Sequence, residues 1–481
     1  MTIRVYNTLT RRSEPLTPLT PGKIGIYLCG PTVYDDCHIG HLMGPVLFDA
    51  IARWLRVRGY DVRFVNNITD IDDKIIERSQ RSGEPWQEIT RRYSEQYFAL
   101  LRRLHVATIT DHPRCTDFVP QMIRYIADLL AAGRAYVTPD GVVYDVQQQP
   151  GYGKLSGRRL EEMVAGARVE RDPHLRHPAD FALWKRAGPG EPSWDSPWGP
   201  GRPGWHIECS VMTYHTLGPD FDIHAGGEEL KFPHHENEIA QGEAHGGGYA
   251  RVWMHHNLVQ YQGSKIAKSD PRMRDPAFAE QFKAWRVLDA HGAPAIRYLL
   301  LSGHYRRPVD FAPAAIAAVR TALQRLLAAL GERCEAPATL CDAAGLAALL
   351  ERALPERAAQ ARAAFIAAMD DDFNTGAAIA QLHILSHEAH KEAEDSAARA
   401  AILDVLAGLG RILGLFQPGD RAQLASTAGG DERLAKVMEL VLELRAQARA
   451  RRDFATSDFI RERLQAAGIT VRDGRDGTTW S

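Results

Sequence analysis

The residues KIGIYLCG, at positions 23–30, form a short apolar run rich in strand-forming residues, and they predict a buried strand that ends at Gly30. After a polar loop, residues 31–41, apolar residues recur at helical spacing: Leu42, Met43, Val46, Leu47, Ala50, Ile51, Trp54 and Leu55. The stretch DVRFVNNI (61–68) predicts a second strand. Strand, helix and strand in this order predict a βαβ unit of a parallel sheet, which binds its ligands at the carboxyl ends of the strands.

The rest of the chain divides by pattern. FDIHAGG (221–227) and RVWMHHNLV (251–259) predict later strands of the same sheet. Residues 84–204 mix helical patterns with short strands, and we interpret this segment as an insertion into the first domain. From about residue 312 the chain is rich in Ala, Leu and Arg and predicts a helical bundle. The Gly/Ser/Thr-rich stretch 424–432 predicts a hinge before a compact tail.

Composition and charge limit the possible functions. The chain has 481 residues, of which 45% are hydrophobic and 25% charged, as in a multidomain globular protein. Its net charge of −2 argues against a generic polyanion binder, so any contact with nucleic acid must use local basic patches and shape. Six cysteines are few for this length and suit a reducing compartment. We find no apolar run of membrane-spanning length and no signal-peptide core, and therefore expect a cytoplasmic protein with no membrane partner. No segment indicates a subunit interface, so we also expect a monomer.

The tetrapeptide HIGH, residues 38–41, lies between the predicted strand and helix. Gly40 would let the backbone approach a ligand closely, and a helix N-terminus favours a phosphate. The imidazoles of His38 and His41 could donate to phosphate oxygens as charge develops in a transition state. Histidine pairs also occur in ordinary polar clusters. The functional interpretation therefore rests on the position of this pair between the predicted strand and the predicted helix.

A second candidate is the stretch GSKIAKSDP (263–271), in which Lys265 and Lys268 lie three residues apart on a Gly/Ser loop. The alternative, and the commoner case for such a loop, is that both lysines are simply solvated. The functional interpretation is a mobile cationic loop that clamps a polyphosphate and neutralises a leaving pyrophosphate.

A third candidate is KFPHHENEIAQ, residues 231–241. If a helix begins near Pro233, His234 and Glu238 lie one turn apart and share a face. An exposed polar first turn, with acids favoured by the helix dipole, is the alternative. An imidazole and a carboxylate together with thiolates would suit zinc. The residues alone do not choose between Cys29 and Cys37, or between His234 and His235.

The two motifs HIGH and KIAKS, in this order on an interrupted Rossmann-type domain, resemble the signature pair of class I aminoacyl-tRNA synthetases, in which the second motif is usually KMSKS. The flanking sequences resemble the cysteinyl-tRNA synthetases in particular, from about Tyr6 to Trp480. These sequences are YLCGPTVYD, NITDIDDKI, GRPGWHIECS, HAGGEELKFPHHENEIAQ, AMDDDFNT and the terminal DGTTW. Of them, FPHHENE and GWHIECS are the most specific.

The resemblance implies an α/β fold: a Rossmann-type parallel-sheet catalytic domain with an inserted connective domain, then an α-helical bundle anticodon-binding region and a small C-terminal domain. The expected boundaries are 1–83 and 205–270 for the split catalytic domain and 84–204 for the insertion. A stem-contact segment, 271–311, the bundle, 312–423, and an anticodon-reading domain, 433–481, would follow.

The resemblance also implies a function, ATP-dependent activation of L-cysteine to cysteinyl-adenylate and its transfer to the 3′-terminal adenosine of cysteine tRNA. One zinc ion would bind the substrate thiol, and Mg²⁺ would accompany ATP. The implied zinc ligands are Cys29, Cys209, His234 and Glu238, which leaves Cys37 a plain reduced thiol and His235 a supporting or helix-start residue.

Further site residues follow from the matching positions. The catalytic residues would be His38, His41, Lys265 and Lys268, and the ATP contacts His38, Gly40, His41, Glu229 and Lys268. Gly30, Thr69 and Trp205 would contact the substrate cysteine, with Trp205 as an ordinary packed aromatic being the alternative. The anticodon contacts would be Arg449, Phe454, Asp458 and Arg461 on one predicted helix, followed by Asp473.

The chain departs from the family pattern at a few positions. Ile266 and Ala267 replace the usual Met-Ser, Asp270-Pro271 replaces Leu-Gly-Asn, and Glu229 stands where aspartate is usual. Both lysines of the motif are retained, so we expect the phosphate chemistry to be retained as well. Two alternatives compete: a cysteine ligase paralogue with a small amine acceptor, and a non-catalytic tRNA- or cysteine-binding module. The terminal DGTTW argues against the first, and the presence of His41 and Lys268 against the second.

Overall fold

The computed structural model describes residues 2–160, 173–265, 271–335, 343–466, 469, 471–474 and 477–480. The chain divides into two compact units, Met1–Asp420 and Arg421–Ser481. The strands are β1 (Arg4–Asn7), β2 (Arg12–Pro15), β3 (Lys23–Leu28), β4 (Asp61–Asn66), β5 (Ala135–Thr138), β6 (Gly141–Tyr144), β7 (Phe181–Arg186), β8 (Gly201–Pro203), β9 (Asp220–Gly227), β10 (Tyr249–His256), β11 (Val259–Tyr261), β12 (Ser264–Lys265), β13 (Val309–Asp310), β14 (Val471–Gly474) and β15 (Gly477–Trp480).

The helices of the first unit begin with α1 (Met43–Val57), α2 (Asp73–Ser82), α3 (Trp86–Arg103), α4 (Val119–Ala131), α5 (Trp205–Leu217), α6 (His234–Ala244), α7 (Pro276–Glu280), α8 (Ala284–His291) and α9 (Ala293–Leu301). They continue with α10 (Pro313–Leu330), α11 (Ala343–Leu350), α12 (Glu356–Asp370), α13 (Thr375–Lys391) and α14 (Ala397–Ile412). Helix α15 (Asp420–Ala450) leads into the second unit, which also contains α16 (Phe454–Ala466).

A four-stranded parallel sheet, in the order β10-β9-β3-β4, is the core of the first unit. Strand β3 pairs with β4 from Lys23↔Asp61 to Leu28↔Asn66, and on its other side with β9 around Tyr27↔His224. Helix α1 makes the crossover between β3 and β4, as the spacing of its apolar residues predicts, and nearly all of that stripe is buried. The predicted βαβ unit and parallel sheet are therefore confirmed, and the carboxyl ends of β3, β4, β9 and β10 meet at one edge.

The segment predicted as an insertion contains α3, α4 and an antiparallel sheet in the order β5-β6-β7-β8. The strands β5 and β6 form a hairpin across Pro139 and Asp140, at the place where AYVTPDGVVYDV alternates. Strand β8 pairs with β7 from Trp184↔Pro203 to Arg186↔Gly201 and leads directly into α5. This sheet therefore returns the chain to the edge of the parallel sheet at Trp205.

Helices α10 to α14 form the predicted bundle, in which α12 packs on α13 and α13 on α14. The segment Pro313–Glu335 is long and apolar enough to cross a membrane by length and composition alone, with a mean hydropathy of 1.3. The sequence reading did not expect such a segment. Its buried leucines, Leu323, Leu326, Leu327 and Leu330, recur at helical spacing, and α10 packs on α9, α13 and α14, so one face of this helix packs into the bundle.

The predicted hinge at residues 424–432 is wrong. These residues lie inside the continuous helix α15, and the division between the two compact units falls earlier, after Asp420. Local Gly and Ser weaken a helix by only about 1 kcal/mol each, an amount that the rest of a long helix can override.

Asp49 and Arg297 form a fully buried ion pair that joins α1 to α9, with Asp49 Oδ2 2.5 Å from Arg297 Nη2. Arg297 also donates to the carbonyls of Leu104 and Leu413, at 2.6 and 2.7 Å. Burial alone would raise the pKa of Asp49, but the charges of Arg53 and Arg297 hold that pKa well below its usual range. The pair therefore connects the crossover helix, the end of α3 and the end of α14.

We expect Asp49→Asn to lower the free energy of unfolding by about 3–5 kcal/mol, because Arg297 would remain buried without a counter-charge. The urea midpoint of the full chain, followed by circular dichroism, measures the loss. The folded-state pKa of Asp49 is depressed, so the stability that its ion pair contributes is fully present above the unfolded-state pKa of about 4. This stability is lost as the pH falls from there through the folded-state pKa.

The matched control is Asp111→Asn, which removes the exposed ion pair with Arg63, and we expect it to change stability by about 1 kcal/mol or less. Equal midpoints for the two variants would contradict a dominant contribution from the buried pair.

Candidate functional site

His38 caps a short 3₁₀ helix, Ile39–Leu42, which contains the other three HIGH residues and lies at the carboxyl edge of the sheet, directly before α1. The backbone N–H of Gly40 donates to His38 Nδ1, and that of His38 donates to His41 Nδ1, both at 3.1 Å. The two rings stack with their centroids 3.8 Å apart. A Cβ on residue 40 would lie 2.9 Å from the His38 ring, so a larger residue would displace that ring from its present position. Both imidazoles are thus oriented by the backbone through Nδ1.

Four side chains from three elements converge beyond the end of β3. Cys29 follows β3, Cys209 lies on α5, and His234 and Glu238 lie one turn apart on α6, which begins after Pro233 as predicted. The Cys29 and Cys209 sulfurs are 3.9 Å apart, and His234 Nε2 is 3.1 Å from Glu238 Oε1. One donor atom from each of the four lies within 4.8 Å of all the others, a spacing that could hold one metal ion.

A second, overlapping set shares Cys29 and Glu238 but uses His224 and His235. His235 Nε2 lies 3.4 Å from Cys29 Sγ, while its Nδ1 lies 2.8 Å from His255 Nε2. His224 Nε2 and the Tyr249 hydroxyl hold Glu238 Oε2, at 2.8 and 2.6 Å. These groups lie behind the carboxylate and orient it, as supporting residues do around metal ligands.

The charges within this cluster suit a cation. The thiol of Cys29 donates to Cys209, and this hydrogen bond chiefly lowers the pKa of Cys209 to about 6. Burial and the neighbouring Cys209 and Glu238 raise the pKa of Cys29 instead. Burial alone would lower the pKa of His234, yet the charges of Glu238 and Cys209 raise it. Two thiols and a carboxylate in one dry site cannot all ionise without a positive charge among them, which a bound metal ion would supply.

A cavity of about 320 Å³ opens at this edge of the sheet. Nine of the predicted site residues line it: Cys29, Gly30, Gly40, His41, Thr69, Trp205, Cys209, Glu229 and His234. Cys209 and His234 line this cavity and His224 and His235 do not, so the set that contains Cys209 and His234 is the one that faces it. His38 lines an adjoining cavity of about 190 Å³ together with His41 and Glu229.

The walls of the cavity explain several residue types. A Cβ at position 30 would lie 1.6 Å from the carbonyl oxygen of Asn67, so only glycine fits, and the Gly30 N–H donates to Asn67 Oδ1. The hydroxyl of Thr69 donates to the buried carboxyl of Glu208 at 3.3 Å. Trp205 stacks on His234 with ring centroids 4.3 Å apart and remains 38% exposed at the rim of the cavity.

The second motif is described only in part. Lys265 is the last residue of β12, which pairs with β11, and Lys268 lies outside the described residues. Cys37, which the sequence alone left as an alternative ligand, is buried, and burial raises its pKa to about 12. It belongs to neither potential ligand set.

The predicted anticodon residues lie in the second unit, but the expectation of a single helix is wrong. Arg449 lies in the last turn of α15, whereas Phe454, Asp458 and Arg461 lie on α16. Asp453 separates the two helices because its side chain accepts from the Thr456 N–H and hydroxyl and so caps a new N-terminus. Phe454 is 60% exposed, and Asp473 lies in β14 of the terminal hairpin.

The sequence did not reveal the buried residues that hydrogen-bond to the candidate metal ligands or to their neighbour His235. His224, Tyr249 and His255 come from β9 and β10, and His206, whose Nδ1 lies 3.0 Å from His234 Nδ1, comes from α5. One weak signal was available: His224 lies in the apolar run FDIHAGG, and a histidine in a buried strand needs a polar partner nearby.

Comparison with known proteins decides the family. The family model for class I (C) tRNA synthetase catalytic domains matches residues 15–321, a DALR domain matches residues 364–417, and the cysteinyl-tRNA ligase anticodon-binding domain matches residues 431–480. The chain belongs to the class I cysteine–tRNA ligase family.

Individual relatives match over nearly their whole length. The cysteine–tRNA ligase of Laribacter hongkongensis is 45% identical over 482 residues and that of Alkalilimnicola ehrlichii 46% identical over 483 residues, with 99% of each chain covered. Among solved structures, the methionyl-tRNA synthetase of Mycobacterium tuberculosis in complex with methionyl-adenylate aligns with a TM-score of 0.56 at 16% identity, covering 90% of this chain and 96% of that one. That likeness shows the class I synthetase fold.

We expect Cys209→Ala to weaken metal binding by more than about 100-fold, because losing a ligand costs more than the 10–100-fold typical of a supporting residue. Metal content per chain after dialysis against a weak chelator measures the change. The matched control is Cys37→Ala, an equally buried thiol outside the cluster, which should retain the wild-type metal content. Equal metal content in the two variants would contradict the ligand set.

Proposed function

We propose that the protein activates L-cysteine with ATP and transfers it to the 3′-terminal adenosine of cysteine tRNA, acting as a monomer in the cytoplasm. The single observation that carries this proposal is the cluster of Cys29, Cys209, His234 and Glu238 beside the HIGH loop, of which the first three line the cavity and Glu238 lies buried next to them. Family membership and the full-length cysteine–tRNA ligase relatives support the same activity.

In this proposal Cys29, Cys209, His234 and Glu238 hold one zinc ion. Two thiolates, an imidazole and a carboxylate match the donors that zinc prefers. When bound, zinc supplies a coordination bond to the thiolate of the substrate, which a serine hydroxyl does not match. Rejecting serine by 10⁴–10⁵ needs about 5.5–7 kcal/mol, whereas a hydrogen bond contributes roughly 0.5–1.5 kcal/mol.

The chemistry would proceed in two steps. The cysteine carboxylate attacks the α-phosphorus of ATP and releases pyrophosphate, while His38 and His41 donate to the phosphate oxygens. Lys265 and Lys268 would neutralise the leaving pyrophosphate, with Mg²⁺ accompanying ATP. In the second step a ribose hydroxyl of the terminal adenosine attacks the adenylate carbonyl, and AMP leaves.

Other residues would position the substrates. Gly30 and Thr69 would contact cysteine, and Trp205 would close over it. Gly40 would allow close approach of the nucleotide, and Glu229 would bind the ATP ribose from the wall that the two cavities share. Glutamate is one methylene longer than the aspartate usual there, so we expect a small shift of the nucleotide. Arg449, Phe454, Asp458, Arg461 and Asp473 would read the anticodon.

The purified protein should charge cysteine tRNA with cysteine. The kcat/KM for charging with serine should be lower by a factor of about 10⁴ or more. Aminoacylation with each amino acid, run beside ATP–pyrophosphate exchange, measures both steps. Cysteine-dependent exchange without charging of the tRNA would contradict the proposal and favour a ligase with a small amine acceptor. Absence of both steps from metal-replete protein would favour a binding module.

We expect Phe454→Ala to lower kcat/KM for cysteine tRNA by roughly 5- to 150-fold, since stacking of a base on an aromatic ring contributes about 1–3 kcal/mol. Pyrophosphate exchange should be unchanged, because the residue lies in the second unit. The matched control is Phe459→Ala, which removes an aromatic ring of similar exposure from the same helix. If both variants charged tRNA at the wild-type rate, Phe454 would not be an anticodon contact.

A further inference from the structure

Lys74 lines the cavity and no predicted catalytic function uses it. It lies in the first turn of α2, directly after the loop that carries Thr69, and its side chain is exposed. Among the described residues that line the cavity, Lys74 is the one lysine or arginine. With a net charge of −2, the chain as a whole does not attract a polyanion, so a local cation at the entrance to this cavity requires an explanation.

The surroundings of Lys74 leave its ammonium group available to a ligand. Of the two acids that precede it in the chain, Asp73 binds Lys185 and Arg202, at 2.6 and 2.8 Å, and Asp72 Oδ1 accepts from the Lys74 backbone N–H while its carboxylate also feels the charge of Lys74. Within the described part of the chain Lys74 forms no ion pair. Its Nζ lies 5.8 Å from the ring centroid of Tyr34, a weak cation–π contact that orients the side chain without neutralising it.

Lys74 does not lie at the end of the cavity toward which a nucleotide would extend. Gly40, His41, Glu229 and His256 line both this cavity and the adjoining one, and mark the direction in which a nucleotide would extend. Lys74 lines only the first cavity, together with Thr69 and the exposed ring of Trp205. An exposed lysine at this opening, on the side away from the nucleotide, suits the end of a single-stranded nucleic acid, whose phosphate needs a cation.

A direct contact of Lys74 with the cysteine carboxylate would work against the reaction, because a cation bound to the nucleophile lowers its reactivity. Resting on the proposed function, we propose that Lys74 binds the phosphate that precedes the terminal adenosine of the tRNA and so positions that adenosine for the transfer step. The ligand is thus a phosphodiester of the acceptor end, and a phosphate of ATP is the alternative source that the experiment separates.

The experiment compares wild type, Lys74→Met and Lys74→Arg in charging of cysteine tRNA and in ATP–pyrophosphate exchange without tRNA. For Lys74→Met we expect kcat/KM for the tRNA to fall about 10-fold, which corresponds to one charge-assisted hydrogen bond, while the exchange rate stays within about twofold of wild type. Lys74→Arg retains the charge and should recover most of the loss. Unchanged exchange also shows that the variant is folded.

Salt dependence provides a readout that a merely structural residue would not affect. Removing one phosphate contact should make the slope of log kcat/KM for the tRNA against log salt concentration shallower by about 0.7, the value for a single-stranded phosphate. The matched control is Arg81→Met, which removes an exposed cation from the last turn of the same helix, away from the cavity, and should change neither rate nor slope.

The outcomes separate this inference from the proposed function. Loss of charging with normal exchange, a shallower slope and recovery by arginine support the phosphate contact. A parallel fall in exchange would overturn it and assign Lys74 to ATP or cysteine, and normal charging by Lys74→Met would overturn it outright. Failure of the wild-type protein to charge cysteine tRNA would overturn the proposed function, and this inference with it.

Discussion

The parallel pairing of β3 between β4 and β9 is the constraint on which the rest of the structure depends. Parallel strands end at the same edge, so the pairs Leu28↔Asn66 and Leu28↔Ala225 bring the loops after all three strands together. Cys29, Thr69 and Glu229 are far apart in the chain, yet they line one cavity because of this register. A one-residue slip of β3 would turn its buried side chains to the opposite face and move Cys29 away from Cys209.

The four-residue cluster beyond this edge is oriented by hydrogen bonds from neighbouring buried side chains. Glu238 has two oxygens, and His224 and Tyr249 hold one of them, so that the other faces His234 and Cys29. Such buried polar groups are costly unless each has a partner, and here the partners come from the neighbouring strands β9 and β10 of the sheet. The fold thus stabilises a concentration of potential negative charge at the point where a metal ion would be bound.

The catalytic edge is also tied to the helices beyond it. Ile39 donates to the carbonyl of Phe282, Ala284 donates to that of Cys37, and Lys283 pairs with Asp36 at 3.0 Å. These contacts connect the HIGH loop to the segment before α8, which follows the second motif in the chain. The Asp49–Arg297 pair connects the next helix, α1, to α9, and Arg297 also donates to the carbonyl of Leu413 at the end of α14. Hydrogen bonds and ion pairs therefore join the sheet edge to the helical segments within the first unit.

The sequence by itself determined the parallel sheet, the crossover helix, the helical bundle and the two motifs, because these depend on local periodicity and on residues close in the chain. It also placed His234 and Glu238 one turn apart, since four residues make about one turn of a helix. The residues alone left Cys29 or Cys37, and His234 or His235, open, because that choice depends on distances across elements some 180 residues apart. Only the tertiary structure decided which thiols meet, placed His224 and Tyr249 behind the carboxylate, and separated Arg449 from α16. The physical reason is that burial and long-range pairing are properties of the packed chain, and they leave little trace in a local pattern of residues.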